Sequence, residues 1–231
     1  MYALHIGNKN YSSWSLRAWV LMKTLGIPFE EKFHQFPDDR PSYNDFRKFS
    51  PTGLVPVLDH GGNKVWDTLG ITEYLAERHA GVWPSNQHAR DWARSAAAEM
   101  HGGFSSLRNL CGMNCGIRVK LPATTPPLQR DFDRLDELWT EGLKRFGGPF
   151  LAGAHFTAVD AFFCPVAFRV QTYGIKLSEA AMAYAHRLLD LPAMMEWYEA
   201  ALREDFREPM HENEHIAAGT WTADYRVQPR G

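Results

Sequence analysis

The N-terminal part of the chain alternates strand-like runs with helical spacing. Residues 2–6 form a short, apolar, β-prone run that ends at Gly7-Asn8, which predicts a buried strand followed by a loop. In residues 13–25 apolar side chains recur at steps of three and four, with serines at the start and Gly26 after the end. This spacing predicts a capped helix. Because residues 28–36 favour a second strand, the segment predicts a β-α-β unit.

A hairpin pattern follows. Residues 55–59 are strand-like, and Gly61-Gly62-Asn63 forms a tight-turn signal that leads into residues 64–66, as in two strands joined by a short turn. Residues 68–79 return to helical spacing, and Gly81 closes that stretch. We therefore expect two strands and a helix here.

Helical spacing dominates the rest of the chain. Residues 81–87, which contain Pro84, Ser85 and Asn86, are the best candidate for a domain boundary. Beyond it we expect helices at residues 91–110, 128–146, 159–173, 178–189 and 192–202. No strong strand pattern follows residue 70. The pattern predicts a small α/β domain at residues 1–81 and an all-helical domain at residues 88–231.

Composition narrows the class of protein. Of the 231 residues, 45% are hydrophobic and 23% are charged, which is ordinary for a folded protein. The formal net charge of -2 provides no positive field, so we expect no nucleic-acid partner. Three cysteines do not make a secreted disulfide framework. With no signal-peptide pattern and no run of membrane-spanning length, we expect a soluble, cytoplasmic protein and no membrane partner.

The junction before the first predicted helix is the first candidate site. Ser12 and Ser13 stand where free backbone N–H groups and the positive end of the helix dipole favour an anion such as a thiolate. The alternative is a plain N-cap. No cysteine occurs at this junction, although a unit that exchanges disulfides with its own residues would carry Cys-x-x-Cys there. Any thiol used at this site must therefore arrive with a ligand.

Two further segments carry candidate binding residues. Pro56 follows an irregular loop, and a cis bond there would turn the main chain of Val55 outward to pair with a peptide ligand. Asp67 and Thr68 stand at the start of the next helix, where an acid and a hydroxyl suit a ligand ammonium and carboxylate. For this pair too, simple helix capping is the alternative.

These three segments, in this order, resemble the cytosolic glutathione transferase superfamily, nearest to its serine-type, zeta- and tau-like members. The run Ser12-Ser13-Trp14-Ser15-Leu16-Arg17 is similar to the zeta-class stretch Ser-Ser-Cys-Ser-x-Arg, and Gly53-Leu54-Val55-Pro56 is similar to the family's Gly-x-Val-Pro. The resemblance spans nearly the whole chain. It implies a thioredoxin-like N-terminal domain that holds glutathione and a helical-bundle C-terminal domain that contributes the electrophile pocket.

The resemblance also implies residue roles. Ser12 would point at the glutathione sulfur, with Ser13 as the rival, because alignments of such junctions slip easily by one residue. Val55, before a cis Pro56, would pair with the cysteinyl backbone of glutathione. The γ-glutamyl end would bind the acid–hydroxyl pair, Asp67 and Thr68.

Other positions concern folding or depart from the family pattern. Thr157 and Asp160 match the family's buried capping box, so we assign them to folding. Leu54 stands where many members have lysine, which removes one polar contact to glutathione. Trp14 replaces the zeta-class cysteine, and this weakens the case for maleylacetoacetate-type isomerisation.

For the second substrate we expect a pocket formed by Tyr11 and the first long helix. The helical candidates are Met100, His101, Phe104 and Arg108. The alternative for the methionine and the phenylalanine is an ordinary place in the core.

The implied function is a glutathione transferase in which glutathione, a co-substrate, attacks a small electrophile as its thiolate. A helix N-terminus and one hydroxyl donor would lower the thiol pKa by roughly one or two units. The reaction requires no metal. Two alternatives stay open: a glutathione-binding module with little turnover, and a glutathione-dependent isomerase or peroxidase. The resemblance also implies a homodimer and a role in detoxification.

Two further patterns resemble metal sites. The run from His211 to His215 matches His-Glu-x-x-His, but we expect it in a polar tail rather than on an apolar helix, without a third ligand. Cys111 and Cys115 are separated by three residues instead of the two common in zinc sites, and they lack a second ligand pair. We interpret neither as a metal site.

Overall fold

The computed structural model describes residues 1–38 and 41–227. Residues 228–231, the end of the predicted second domain, lie outside this described part. The elements follow one another in the order β1 (Tyr2–Ile6), α1 (Ser13–Thr24), β2 (Phe29–Phe33), α2 (Tyr43–Phe46), β3 (Val57–His60), β4 (Asn63–Val65), α3 (Thr68–Ala76), α4 (Gln87–Gly102), α5 (Ser105–Leu110), β5 (Ile117–Lys120), α6 (Pro126–Phe146), α7 (Ala158–Tyr173), α8 (Glu179–Leu189), α9 (Pro192–Arg203), α10 (Pro209–Ala218) and β6 (Thr220–Asp224).

A mixed four-stranded sheet organises the N-terminal part. Its strand order is β2-β1-β3-β4, with β1 parallel to β2 and antiparallel to β3. Leu4 in β1 pairs with Glu31 on one side and Leu58 on the other. Leu4 and Leu58 are fully buried, as expected for strands at the centre of a covered sheet. The predicted β-α-β unit and hairpin are both present.

Helix α7 forms the centre of the molecule. It packs against α1, α4 and α8, and every residue of it except Gln171 is buried. A helix with apolar residues on every side is stable only in such a position, and most residues of α7 are apolar. Helix α1 buries the continuous run from Ser15 to Met22, since it lies next to α7 as well as α3 and β1. The loop before α1 is therefore held where the two parts of the chain meet.

The start of α7 confirms the predicted capping box. The N–H of Thr157 donates to Oδ2 of Asp160 at 2.9 Å. The other carboxylate oxygen accepts from the N–H of Leu151 at 3.0 Å and from the Tyr184 hydroxyl at 2.8 Å. Burial raises the pKa of Asp160 to about 6, against the effect of these hydrogen bonds. The carboxylate thus satisfies a helix start inside the core.

The single helix expected at residues 91–110 is two helices. Helix α4 ends at Gly102, and Phe104 adopts left-handed backbone angles with φ 52° before α5 begins. A left-handed residue other than glycine costs about 1 kcal/mol or more. Burial of the Phe104 side chain in the core offsets that cost, since a buried phenylalanine contributes roughly 1.5–3 kcal/mol.

The expectation of no strand after residue 70 is wrong. Strands β5 and β6 form an antiparallel ribbon with a register shift between Arg118 and Val119. Ile117 and Val119 are buried, whereas Lys120 is exposed. Four residues are too few for this alternation to stand out in the sequence. Among the described residues, no helix combines the length and apolar character that crossing a bilayer requires.

Candidate functional site

The loop before α1 is fixed by a carboxylate from the helical part. Glu204, at the end of α9, accepts hydrogen bonds from the N–H of Lys9 at 2.6 Å and the N–H of Asn10 at 3.4 Å. The side chain of Asn10 donates to the carbonyl of Ala201 at 2.6 Å. The helical part therefore sets the path of the chain into α1.

Ser12 is the N-cap residue of α1, but its side chain makes no capping hydrogen bond. Its hydroxyl donates to the hydroxyl of Ser15 at 2.7 Å, and Ser15 also accepts the N–H of Gly7 at 3.1 Å. Ser13 is half-buried, and its hydroxyl has no hydrogen-bond partner in the described part of the chain. The plain N-cap alternative therefore does not account for the Ser12 side chain.

The bond between Val55 and Pro56 is cis. Val55 precedes β3, which begins at Val57, so its main chain takes no part in the paired region of the sheet. Gly53 supports this turn with φ +68°, and a Cβ there would lie 2.6 Å from the Tyr43 side chain. Leu54 is 63% exposed. The loop thus presents an unpaired backbone edge beside the start of α1.

Asp67 and Thr68 lie at the start of α3. Asp67 caps the helix by accepting the N–H of Leu69 at 3.1 Å, and its other oxygen lies 3.2 Å from Nε2 of His101. Thr68 is 1% exposed, and its hydroxyl has no hydrogen-bond partner in the described structure. A buried hydroxyl without a hydrogen-bond partner is unusual, and a bound ligand or a water molecule can provide the partner.

A cavity of about 290 Å³ opens in front of Ser12. From the first half of the chain it is lined by Tyr11, Ser12, Ser13, Trp14, Phe36 and Val55. From the second half it is lined by Arg108, Asn109, Met113, Arg169, His211 and Glu214. The cavity thus contains both candidate serines and a wall built from helical residues.

The structure places some of the residues predicted for the second-substrate pocket at the cavity and others in the hydrophobic core. Tyr11 and Arg108 line the cavity, whereas Met100 and Phe104 belong to the hydrophobic core. His101 packs edge-on against Trp14, with ring centroids 5.0 Å apart, and contacts Asp67. Burial lowers the pKa of His101, and nearby Asp67 opposes that shift. We therefore place Met100 and Phe104 in the core rather than in a substrate pocket.

Tyr11 connects the loop to the C-terminal segment. Its hydroxyl donates to Glu212 at 2.8 Å, and its ring stacks on His211 with centroids 5.0 Å apart. Burial, followed by the charge of Glu212, raises the pKa of Tyr11. Glu212 also forms an ion pair with Arg226 at 2.6 Å. A tyrosine held in this way stays protonated and serves as a wall of the cavity.

Sequence reasoning missed Arg169, which comes from the middle of α7. It is 4% exposed; its Nε donates to the carbonyl of Cys111 at 2.8 Å, and its Nη1 has no partner among the described residues. Arg17 and Arg108 stand nearby, with guanidinium carbons 4.3 Å and 5.0 Å from the centroid of Trp14. An arginine within an otherwise apolar helical run is the signal that could have identified Arg169, since unpaired charges are rarely buried.

The two patterns set aside as metal sites have other partners. His211 and His215 lie on helix α10 and not in an irregular tail. Nδ1 of His211 lies 2.7 Å from Glu208, and Nδ1 of His215 contacts the main-chain oxygen of His211. Cys111 and Cys115 are buried free thiols, and burial raises the pKa of both, that of Cys111 to about 12. Residues 1–38 and 41–227 contain no group of three side chains arranged to hold a metal.

Comparison with family models identifies both parts of the chain. The model of the glutathione S-transferase N-terminal domain matches residues 11–78, and that of the C-terminal domain matches residues 121–200. Together the two ranges cover more than half of the sequence. The chain belongs to the glutathione S-transferase family. The fold prediction is thereby confirmed: a thioredoxin-like N-terminal domain precedes a helical C-terminal domain.

Individual relatives within the glutathione S-transferase family are distant. Glutathione S-transferase 1 of Dianthus caryophyllus is 26% identical over 176 residues, which make up 73% of this chain and 78% of that protein. Maleylacetoacetate isomerase of Rhizobium meliloti is 26% identical over 144 residues, or 59% and 67% of the two chains. A solved structure of a glutathione transferase homolog from Burkholderia GL BGR1, with bound glutathione, has a TM-score of 0.66 and 20% identity. It covers 87% of this chain and 97% of that one, a likeness of fold.

The ranges matched by the family models include some residues of the candidate site and leave out others. Ser12, Val55 and Thr68 all lie inside the N-terminal match. On the helical wall, Arg169 lies inside the C-terminal match, whereas Arg108 lies outside both ranges. The helical wall of the cavity is therefore partly built from residues that the family models do not cover.

Proposed function

We propose that this protein is a glutathione transferase that stabilises the glutathione thiolate at the start of α1 for attack on a small electrophile in the cavity. The single observation that carries the proposal is the Ser12 hydroxyl, which lines the cavity at the N-cap without serving as a cap. Hydroxyl pairs can reverse their hydrogen bond by rotation. Without a ligand the Ser12 hydroxyl donates to Ser15. When an anion binds in the cavity, rotation of both hydroxyls would make Ser15 the donor to Ser12 and turn the Ser12 hydrogen toward the anion.

The electrostatics of the cavity favour a thiolate. The N-terminus of α1 carries partial positive charge, and the cationic side chains of Arg108 and Arg169 line the same cavity. A thiol has an ordinary pKa of about 8.5 and is mostly protonated at about pH 7. A positive environment and a hydroxyl donor lower that pKa by roughly one or two units. Each unit corresponds to about 1.4 kcal/mol of thiolate stabilisation.

The proposed glutathione contacts follow from the other two segments. The unpaired main chain of Val55 suits antiparallel pairing with the cysteinyl residue of the tripeptide. Asp67 would accept the γ-glutamyl ammonium. The partnerless hydroxyl of Thr68 and the N–H groups that begin α3 would receive the γ-glutamyl carboxylate. Asp67 and Thr68 lie outside the lining of the cavity, whereas Val55 and Ser12 line it, and the proposal puts the sulfur beside Ser12.

The proposed chemistry is nucleophilic substitution or addition by sulfur. The thiol proton leaves to solvent, and the thiolate lone pair forms a carbon–sulfur bond. With a halogenated aromatic substrate, the carbon–halogen bond then breaks and the halide departs with its electron pair. Ser12 stays protonated throughout and acts as a hydrogen-bond donor that preorganises the anion. No other group on the protein needs to change its charge.

A glutathione-dependent isomerase is the second candidate. The relative named maleylacetoacetate isomerase from Rhizobium meliloti favours it, since the same thiolate could add reversibly to a conjugated double bond. Trp14, which lines the cavity where the zeta pattern has cysteine, argues for conjugation instead. A homodimer in the cytoplasm belongs to the same proposal and is supported only by membership of the family.

The test combines binding and turnover. Glutathione binding is measured by calorimetry, and initial rates are measured with chlorodinitrobenzene for the wild type, Ser12→Ala and Ser13→Ala. We expect Ser12→Ala to lower kcat/KM about tenfold or more and to raise the pKa seen in its pH profile. Ser95→Ala, at an exposed serine of α4, is the matched control and should match the wild type.

Two results would contradict the proposal. Absence of glutathione binding at millimolar concentration would remove its basis. Unchanged turnover in Ser12→Ala, with glutathione affinity intact, would show that Ser12 does not act on the sulfur. A selective loss in Ser13→Ala would transfer the role to Ser13.

A further inference from the structure

Helix α7 carries two charged side chains through the core, and only one of them is satisfied. Asp160 receives hydrogen bonds from the main chain of Leu151 and Thr157 and from Tyr184. Arg169 is buried to a similar degree but donates only Nε, to the carbonyl of Cys111. Its Nη1 is buried and has no partner among residues 1–38 and 41–227. A buried unpaired guanidinium reduces the free energy of unfolding. The position of Arg169 on the cavity wall therefore requires an explanation.

Arg169 belongs to a group of three neighbouring guanidinium groups. Burial lowers the pKa of Arg17, and the next largest causes are the charges of Arg169 and Arg108. In Arg17, Nε and Nη1 are also buried, and neither has a partner in the part of the chain that the structure describes. Within the described part of the chain, none of the three forms an ion pair with a carboxylate. This group is hereafter called the arginine cluster.

Two carboxylates are associated with the arginine cluster or with the cavity, and neither forms an ion pair with an arginine of the cluster in the described structure. Asp67 is the acidic group that acts on Arg17, but its oxygens contact Leu69 and His101. Glu214 lines the cavity and is exposed to solvent. Among the described residues that line the cavity, Arg108 and Arg169 carry positive charge and Glu214 carries negative charge. The described cavity wall therefore contains no carboxylate that pairs with Arg108 or Arg169. A bound ligand would have to supply that negative charge.

We assign the negative charge that would pair with these arginines to the electrophile rather than to glutathione. The segments proposed for the carboxylate and ammonium of the γ-glutamyl group lie at α3, whereas Arg169 comes from α7 and Arg108 from α5. A planar guanidinium with free N–H groups matches a carboxylate better than any neutral group. The size of the cavity, about 290 Å³, suits a small aromatic or aliphatic acid.

We propose that the second substrate is an electrophile that carries a carboxylate, and that Arg169, assisted by Arg108, binds this carboxylate. This inference rests on the proposed thiolate chemistry only for turnover. The binding of the acid itself does not require glutathione. In this proposal Arg169 selects the substrate and Ser12 acts on the sulfur, and both residues line the same cavity.

The first experiment measures binding without turnover. Calorimetric titrations compare nitrobenzoate with nitrobenzamide, which has a similar shape but no charge. We expect the wild type to bind the acid at least about tenfold more tightly than the amide, the usual effect of a charge-assisted hydrogen bond. Arg169→Met should remove most of this preference, and Arg169→Lys, which keeps the charge, should retain part of it.

The second experiment measures specificity during turnover. Chlorodinitrobenzoate and its methyl ester differ in charge at the same position, so the ratio of their kcat/KM values reports recognition of the carboxylate. Arg169→Met should lower the acid-to-ester ratio about tenfold. Arg203→Met, at an exposed arginine of α9, should leave the ratio unchanged. Arg108→Met should lower it by a smaller factor, and this variant serves if Arg169→Met does not fold.

The outcomes separate the two proposals. Acid binding that depends on Arg169, without turnover of either electrophile, would support the anion site and contradict the transferase function. Turnover with an acid-to-ester ratio that neither arginine substitution changes would overturn the anion site alone. Equal affinity of the wild type for nitrobenzoate and nitrobenzamide would also overturn it, and would leave Arg169 with the structural role of holding the carbonyl of Cys111.

Discussion

The hydroxyl groups of Ser12 and Ser15 lie 2.7 Å apart, one at the N-cap of α1 and one in its first turn. Ser15 is fully buried and accepts the N–H of Gly7, at the end of β1. The main chain of the central sheet is thereby connected to the candidate sulfur site through two hydroxyls. Hydrogen bonds in such a chain polarise one another, so the proposed function of Ser12 implies that Ser15 is its positioning residue.

Ser15→Ala should slow glutathione turnover through Ser12. Without Ser15, the Ser12 hydroxyl loses its partner and the N–H of Gly7 is left buried, so we expect kcat/KM to fall severalfold. The free energy of unfolding should fall by about 1–3 kcal/mol. Initial rates and urea denaturation measure the two effects.

A double-mutant cycle separates positioning from a general loss of stability. If Ser15 acts through Ser12, the Ser12→Ala/Ser15→Ala double variant is no slower than Ser12→Ala alone. Fully additive losses in kcat/KM would instead mean that the two serines affect turnover independently.

Thr68→Val should weaken glutathione binding. The substitution keeps the shape of the side chain but removes the buried hydroxyl that has no partner within the described chain. Since a hydrogen bond to a charged group contributes roughly 1.5–3 kcal/mol, we expect the Kd for glutathione to rise about tenfold. Thr72→Val, one turn further along α3, removes a hydroxyl that bonds only to the carbonyl of Thr68 and should leave the Kd unchanged. Equal effects of the two substitutions would argue against a ligand contact at Thr68.

The sequence predicts the first half of the site better than the second. The serines of the junction, the Val55-Pro56 turn and the start of α3 lie in short segments whose local patterns specify their structure. The helical wall of the cavity depends on which residues of different helices meet. Sequence spacing placed Met100 there, although the residue is fully buried in the core, because helical periodicity identifies a buried face without identifying what it faces.

The errors in the fold have local causes. Gly102 and Gly103 interrupt the predicted helix at residues 91–110 and are the signal that could have divided it. The β5–β6 ribbon pairs residues that are a hundred or more positions apart in the sequence, so neither strand is recognisable alone. The sequence pattern does not identify Arg169, because the apolar run around it predicts only a buried helix.

Glu204 should contribute to stability through the loop before α1. Its carboxylate accepts the N–H groups of Lys9 and Asn10 and the side-chain amide of Asn8. In Glu204→Ala these donors lose their acceptor, and we expect the free energy of unfolding to fall by about 1–3 kcal/mol. Urea denaturation measures the change. Glu199→Ala, at an exposed glutamate 3.7 Å from Arg203, is the control and should change stability by less than about 1 kcal/mol. Equal losses would show that the contact from Glu204 to the loop adds nothing.

Acidic conditions should destabilise the protein through His5. Nδ1 of His5 lies 2.9 Å from Nε2 of His34, and both rings stack on Phe49. Burial, followed by the neighbouring His34, lowers the pKa of His5 from 6.5 to about 4, and burial lowers the pKa of His34. Because the unfolded chain binds the proton more readily, stability is complete above about pH 6.5 and is lost as the pH falls toward 4.

Urea denaturation at about pH 7.5 and about pH 5 measures this loss, since the two values lie on either side of the ordinary histidine pKa. His5→Gln keeps a polar side chain beside His34 but cannot be protonated, so it should lose a smaller part of its stability between the two pH values than the wild type does. His88→Gln, at an exposed histidine, should show the full wild-type loss. If His5→Gln and the wild type lose the same free energy of unfolding, the acid sensitivity arises from other groups, and the His5–His34 contact tolerates protonation.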